Sequence, residues 1–267
     1  MYTANFRYSR PKTLAEAEAL FHAGVDAKYL AGGQTLIPTM KARLAAPSDL
    51  IDLSRLPGLS FMREESNALI IGAGTCHADV AASPVVKKAI PALADLAGGI
   101  GDTAVRHRGT LGGSVANNDP AADYPAALIA LGATVKTTRR VILAEDFFTG
   151  MFATALEPSE IVTEVSFPTP SRAAYVKFRN PASRYAMVGV FVAKRTDGVR
   201  VAITGAGHSV FRVPEMEAAL AKNFTPAAIA GIAISSDGLN GDLFGSAEYR
   251  AHLVTVMAKR AVAAALV

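Results

Sequence analysis

Cysteine is all but missing: Cys76 stands alone in the chain. One thiol cannot close an internal disulfide, and it cannot supply the ligands of an iron–sulfur cluster or a cysteine-rich metal site. Such spare use of cysteine suits a reducing compartment. Charge is sparse too. Charged residues make up 19% of a sequence that is 51% hydrophobic, the reverse of the composition that keeps a chain disordered. Basic residues gather only briefly, at Arg106-His107-Arg108 and Arg139-Arg140. No basic stripe interleaved with aromatics follows, so nucleic acid is a poor candidate partner. No apolar run reaches the roughly 20 residues of a membrane-spanning helix, and the opening MYTANFRYSRPKTLAEAEAL lacks the apolar stretch of a signal peptide. The expectation is a cytoplasmic chain with no membrane span. No repeat of about 20–50 residues defines the fold.

What is present is a mixed α+β pattern in 267 residues, enough for two or three lobes with real cores. KTLAEAEALFHAG predicts a helix that Thr13 caps, with Glu16 three residues on and Gly24 at its end. AKYLAGG predicts a strand running into glycines, and TLIPTMKARLAAP a short helical turn. DLIDLSRLPGL predicts a strand then a turn, and ALIIGAGT a buried strand. Helices broken at Pro84 follow, closed by Gly98 and Gly99. Then comes a polar, turn-rich segment, GTLGGSVANNDPAADYP. AALIALGATVKTT predicts a helix passing into a strand, VILAEDFFTGMF a strand into a loop, and EIVTEVSFPTP a strand stopped by Pro168 and Pro170. The proline pair marks a domain boundary near residue 170. Beyond it AAYVKFR, AMVGVFVAKR and RVAITGAG predict three strands, the last two joined by a hairpin at Asp197-Gly198. The tail predicts helices over VPEMEAALAKN, TPAAIAGIAI and SAEYRAHLVTVMAKRAVAAAL, with Thr225 and Ser246 as caps.

Two glycine patterns fail as nucleotide fingerprints. IIGAGTCH has Gly72 and Gly74 after a strand, but His77 holds the third glycine position and no acidic residue closes a following strand. ITGAGHSV leads into no periodic helix, and no Walker lysine follows any glycine cluster. Two other segments resemble each other: LAGGQTLIP from Leu30 and TLGGSVAN from Thr110. Each sets a glycine doublet before a small hydroxyl or amide side chain. Both are either ordinary tight turns or nests of backbone N–H groups that clamp a diphosphate from two sides. His77 and His107 read as turn or surface histidines, and Asn117 and Asn118 as left-handed turn formers. Asp119 and Asp123 lack the neighbours that would complete a metal's oxygen shell.

Taken in order, LAGGQTLIPTMKARLAAPSDLIDLSRLPGL, IIGAGTCHADV, AVRHRGTLGGSVANNDPAADYPAALIALGATV and EYRAHLVTVMAKRAV resemble the flavin-binding medium subunit of the molybdenum hydroxylases, the group of carbon monoxide dehydrogenase and xanthine dehydrogenase. The resemblance implies a two-lobed FAD-binding domain of the vanillyl-alcohol oxidase (PCMH) type over residues 1–170, its lobes at about 1–56 and 57–170. It implies a C-terminal domain of antiparallel sheet and helices over 171–267. It implies a role as well: FAD in this chain takes electrons from [2Fe–2S] clusters of a small subunit, substrate being oxidised at a molybdopterin centre in a large one. A dimer of heterotrimers follows by the same resemblance, passing electrons to quinone, dioxygen or a nicotinamide, in the cytoplasm or peripheral to the inner membrane. A free-standing FAD oxidoreductase and a flavin-free assembly subunit are the alternatives.

By the same resemblance, Ala31, Gly32, Gly33, Gln34, Thr35 and Leu36 face Thr110, Leu111, Gly112, Gly113 and Ser114 across the FAD diphosphate. Asp123 meets a polar group of the ribityl or adenosine half. Ile100 and Val162 make apolar or main-chain contacts. Lys177 sits near the flavin's pyrimidine edge, where its charge would raise the potential, and Tyr185 packs near the ring system. The chain departs from the family at Ser114, usually asparagine, at Arg184, often aspartate, and at Cys76, more often threonine.

Overall fold

In a computed structural model that describes residues 2–267, the chain begins with β1 (Arg7–Ser9), α1 (Leu14–Ala23), β2 (Ala27–Leu30), α2 (Leu36–Lys41) and β3 (Asp49–Asp52). The three strands form a parallel sheet in the order β1-β3-β2. α1 starts where the sequence indicates: the Thr13 hydroxyl accepts from Glu16 N at 3.1 Å, and the Glu16 carboxylate reaches back to Lys12 N at 2.7 Å. Ala17, Ala27, Ile51, Leu56 and Leu59 make this lobe's small core, closed by Ile161 from the next lobe.

The second lobe holds β4 (Met62–Glu65), β5 (Ala68–Gly72), α3 (His77–Ala82), α4 (Pro84–Ala89), α5 (Pro91–Gly98), α6 (Thr103–Arg106), α7 (Leu111–Asn117) and α8 (Tyr124–Leu131). It continues through β6 (Thr134–Thr137), β7 (Val141–Leu143), α9 (Ala144–Phe147), β8 (Phe148–Gly150), β9 (Ala153–Thr154) and β10 (Val162–Pro168). Its main sheet is antiparallel, β4-β5-β10-β6-β7. Every residue of α8 is buried, because this helix is covered on both sides, by the main sheet and by the sheet that follows.

That last sheet is an antiparallel meander of β11 (Arg172–Arg179), β12 (Ala186–Arg195), β13 (Gly198–Thr204) and β14 (Phe211–Arg212), followed by α10 (Pro214–Lys222) and α11 (Ala247–Ala264). Arg195 pairs with Gly198 across the expected Asp197-Gly198 hairpin. β12 has period 2, yet both of its faces are buried. Phe191 and Ala193 join the core of the second lobe, while Val188, Val190 and Val192 pack under α10 and α11. The chain thus crosses at Pro168 and Pro170 without a break in packing. Arg250 of α11 locks the far side, donating to the carbonyls of Met187 (2.6 Å) and Gly205 (3.1 Å).

Three expectations need correction. The polar segment from Gly109 is not a loop throughout: Leu111–Asn117 is helical, ended by Asn118 in the left-handed region (φ 44°). Asn118 there donates to the carbonyls of Gly150 and Ala153, which explains why an asparagine serves. TPAAIAGIAI forms only a 3-10 turn at Pro226–Ile229, and Thr225 does not cap it: its hydroxyl is buried without a partner among the described residues. Residues Ala144–Phe147 form a helical turn where a loop is expected. Ser246 does cap α11, accepting from Tyr249 N.

Candidate functional site

Between the two N-terminal lobes lies a cavity of about 900 Å³, at the upper end of the roughly 300–1,000 Å³ typical of cofactor sites. Of the residues expected to bind FAD, all but Leu111 and Lys177 line it. Its first wall is the turn from β2 into α2. Gly33 turns the chain there at φ 73°. Gly32 touches the second wall so closely that a Cβ on it would lie 2.0 Å from Arg108 O. Among the described residues, the backbone N–H groups of Gly32, Gly33, Gln34 and Thr35 have no protein acceptor, and Thr35 gives α2 no side-chain cap. These amides form an open donor row beside the cavity.

The second glycine segment differs, and this corrects the picture of two matching nests. Thr110 caps α7, its hydroxyl accepting from Gly113 N at 3.1 Å. Leu111 N donates to Thr75 O, Gly112 N to Ala73 O and Ser114 N to Thr110 O. Its amides are therefore spent on anchoring the segment against residues 73–75. A Cβ on Gly112 would meet that of Ala73 at 2.5 Å, so glycine serves close packing here. Leu111 points into the core. What this wall offers the cavity is surface and the half-buried Ser114.

Deeper in, Asp123 is 4% exposed. Lys177 Nζ sits 2.9 and 3.1 Å from its two carboxylate oxygens, and the Tyr175 hydroxyl donates a short hydrogen bond to the same group. Burial pushes the Asp123 carboxyl up, opposed by the ammonium of Lys177. The charge of Lys177 is thus directed to Asp123, and Lys177 itself is not among the residues that line the cavity. Ile100 and Val162 are apolar wall residues. Tyr185 is 44% exposed and stands at the mouth beside Arg184, whose φ of 63° is held by a bond from its N–H to Asn180 O.

The cavity also has wall residues that sequence reasoning missed. His77 is buried, not a surface turn. Glu160 is buried too, held by Arg140 at 3.0 Å, Thr137 Oγ1 at 2.6 Å and Glu157 N at 2.8 Å. Burial alone would raise its carboxyl, but these bonds, Arg140 first, hold it at about 2. No local motif marks either: Arg140 and Thr137 reach Glu160 from a distant strand and turn, and the Gly109 backbone is what covers His77. Glu160 binds its proton more weakly folded than unfolded, so it stabilises the fold above about pH 4.5 and loses that contribution as pH falls toward 2. Glu160→Gln is expected to lack this component, seen as a flatter fall of thermal stability from pH 6 to pH 3.

Residues 4–170 match the family described as the FAD binding domain in molybdopterin dehydrogenase. The chain belongs to this FAD-binding family. Similarity to other members of the family runs the full length. The chain is 37% identical to the carbon monoxide dehydrogenase medium chain of Hydrogenophaga pseudoflava, over 99% of this chain and 98% of that one. It is 36% identical to the nicotine 6-hydroxylase medium subunit of Paenarthrobacter nicotinovorans, over 96% and 95%. Its fold matches a solved structure of the Hydrogenophaga pseudoflava carbon monoxide dehydrogenase with a TM-score of 0.90, covering 100% of this chain and 99% of that one. The α+β FAD-subunit architecture expected from the sequence is therefore the observed one. The cavity fits the family's cofactor: an unpaired row of amides suits a diphosphate, and apolar walls at Leu36, Ile100 and Val162 suit an aromatic ring system.

Proposed function

We propose that this chain is the FAD-carrying electron-transfer subunit of a molybdenum hydroxylase. The observation that carries the reading is the open amide row at Gly32–Thr35, facing a cavity of cofactor size in a chain similar to medium subunits from end to end. Bound FAD would supply the step between two-electron and one-electron chemistry. The chain's own residues do the rest. Gly32, Gly33, Gln34 and Thr35 donate to the diphosphate, with Ser114 adding one hydroxyl. Gly112 and Gly113 bring the second wall close. Asp123, held by Lys177 and Tyr175, presents one fixed carboxylate edge to the cavity. Ile100 and Val162 would exclude water from the ring system, and Tyr185, 44% exposed, would cover it from the solvent side.

Iron–sulfur and molybdopterin groups belong, on this reading, to a small and a large partner subunit, in keeping with the single cysteine here. The relatives matched are themselves medium subunits, which favours a subunit over a free-standing oxidoreductase. A dimer of heterotrimers and an acceptor drawn from quinone, dioxygen or a nicotinamide complete the proposal, as does a C-terminal unit over 171–267. Among the described residues no helix is long and apolar enough to cross a membrane. The purified chain is expected to carry a flavin absorbance spectrum and to regain it on adding FAD after stripping. A folded chain that neither retains nor takes up FAD sinks the proposal.

A further inference from the structure

His77 is 4% exposed, and its Nδ1 is buried without a hydrogen-bond partner among the described residues. His77 is among the residues that line the cavity. Nε2 lies under Gly109, so close that a Cβ there would come within 2.7 Å of it. The backbone ties the same two residues together, His77 N donating to Gly109 O at 3.0 Å. Gly32 packs on the other side of this stretch, against Arg108 O and Gly109 Cα. The imidazole therefore sits one strand of backbone away from the open amide row. Beside it, at 5.4 Å between ring centroids, Tyr124 also has a buried hydroxyl without a partner.

An unpartnered imidazole is tolerable when neutral and costly when charged. Burial, and then the charge of Arg106, push His77 down to about 4. Among the described residues, the ionisable groups acting on or packed against it are Arg106 on α6, whose charge opposes its protonation, and Tyr124 of α8, whose ring lies at its side. A diphosphate placed on the neighbouring amides reverses the balance, since a nearby opposite charge favours the protonated ring.

We propose that His77 is a positioning residue for the cofactor's diphosphate, taking up one proton as FAD enters and acting on the anion as imidazolium across the single strand of backbone at the seam between the two glycine loops. This rests on the FAD reading above. The proton comes from solvent, and no bond other than N–H is formed. The sign follows from linkage: a group with a higher pKa in the complex than in the free chain makes binding tighter as pH falls between those two values, by up to about tenfold per pH unit.

The test uses the stripped full-length chain with three probes: FAD, ADP-ribose, which carries the diphosphate without the flavin, and riboflavin, which carries no phosphate. FAD and ADP-ribose are expected to bind about twentyfold tighter at pH 5 than at pH 7.5, riboflavin with little change. His77→Gln is expected to flatten the FAD and ADP-ribose profiles. Calorimetry of the wild-type chain at pH 5 in buffers of different ionisation enthalpy reads the proton uptake without any substitution, approaching one proton per FAD there and falling toward none at pH 7.5. FAD binding that is tight yet independent of pH, with no proton uptake, overturns this inference alone, as does a slope that persists in His77→Gln. A folded chain that binds neither FAD nor ADP-ribose overturns the proposed function and this inference with it.

Discussion

Gly32→Ala is expected to abolish FAD retention while leaving the rest of the chain folded. The added Cβ would sit 2.0 Å from Arg108 O and 2.7 Å from Gly109 Cα. Both neighbours are backbone, so no rotamer change relieves the contact, and the two walls of the cavity must part. Overpacking of this kind costs about 1–3 kcal/mol of stability. The larger effect falls on the cofactor. The displaced residue stands at the head of the row of free amides, and hydrogen bonds to a charged group are worth about 1.5–3 kcal/mol each. Losing two of them weakens binding by about a hundredfold or more. Gly231→Ala is the matched control, since a Cβ there meets nothing within 4 Å. Flavin absorbance per chain and a thermal melt check the pair. Stoichiometric FAD and an unchanged melt in Gly32→Ala would show that the two loops do not form one clamp.

Lys177→Met carries the largest expected loss of stability. Asp123 and Lys177 are almost wholly buried, with side chains 4% and 3% exposed. Removing one partner of a buried pair leaves the other uncompensated, at a cost of about 3–5 kcal/mol. Tyr175 still donates to Asp123 but brings no charge. The double variant Asp123→Asn with Lys177→Met is expected to recover much of the loss, because neither charge is then stranded. The pH dependence has a definite sign. Asp123 is already raised by burial, and without Lys177 it rises further. A carboxyl that holds its proton more tightly in the folded chain stabilises the fold as pH falls. The deficit of Lys177→Met relative to wild type should therefore be greatest at neutral pH and shrink toward acid. Urea unfolding at several pH values measures it, and an equal deficit at every pH would mean that packing, not charge, is what Lys177 supplies.

Much of this architecture is legible in local sequence. The Thr13 cap and Gly24 bound α1, Ser246 starts α11, and Asp197-Gly198 joins two strands whose alternation names their faces. Each of these signals works within a few residues, where the chain's own propensities and capping side chains decide the outcome. The glycine doublets likewise mark the two segments that meet at the cavity. Their chemistry is less legible. The doublets look equivalent, yet only the first keeps its amides free. The second uses them on Ala73 and Thr75, more than thirty residues earlier, and becomes a helix behind Thr110.

The sequence by itself determined the exclusions and the local frame: a lone thiol that cannot hold clusters, an α+β order, and two glycine turns at fixed places in it. Tertiary structure decided which polar groups remain available. Lys177 finds Asp123 across 54 positions, Glu160 finds Arg140 across 20, and His77 is buried by a loop that only the fold brings over it. The reason is physical: propensity is settled by neighbours along the chain, whereas the satisfaction of a buried charge or amide depends on whichever distant group arrives within about 3 Å of it.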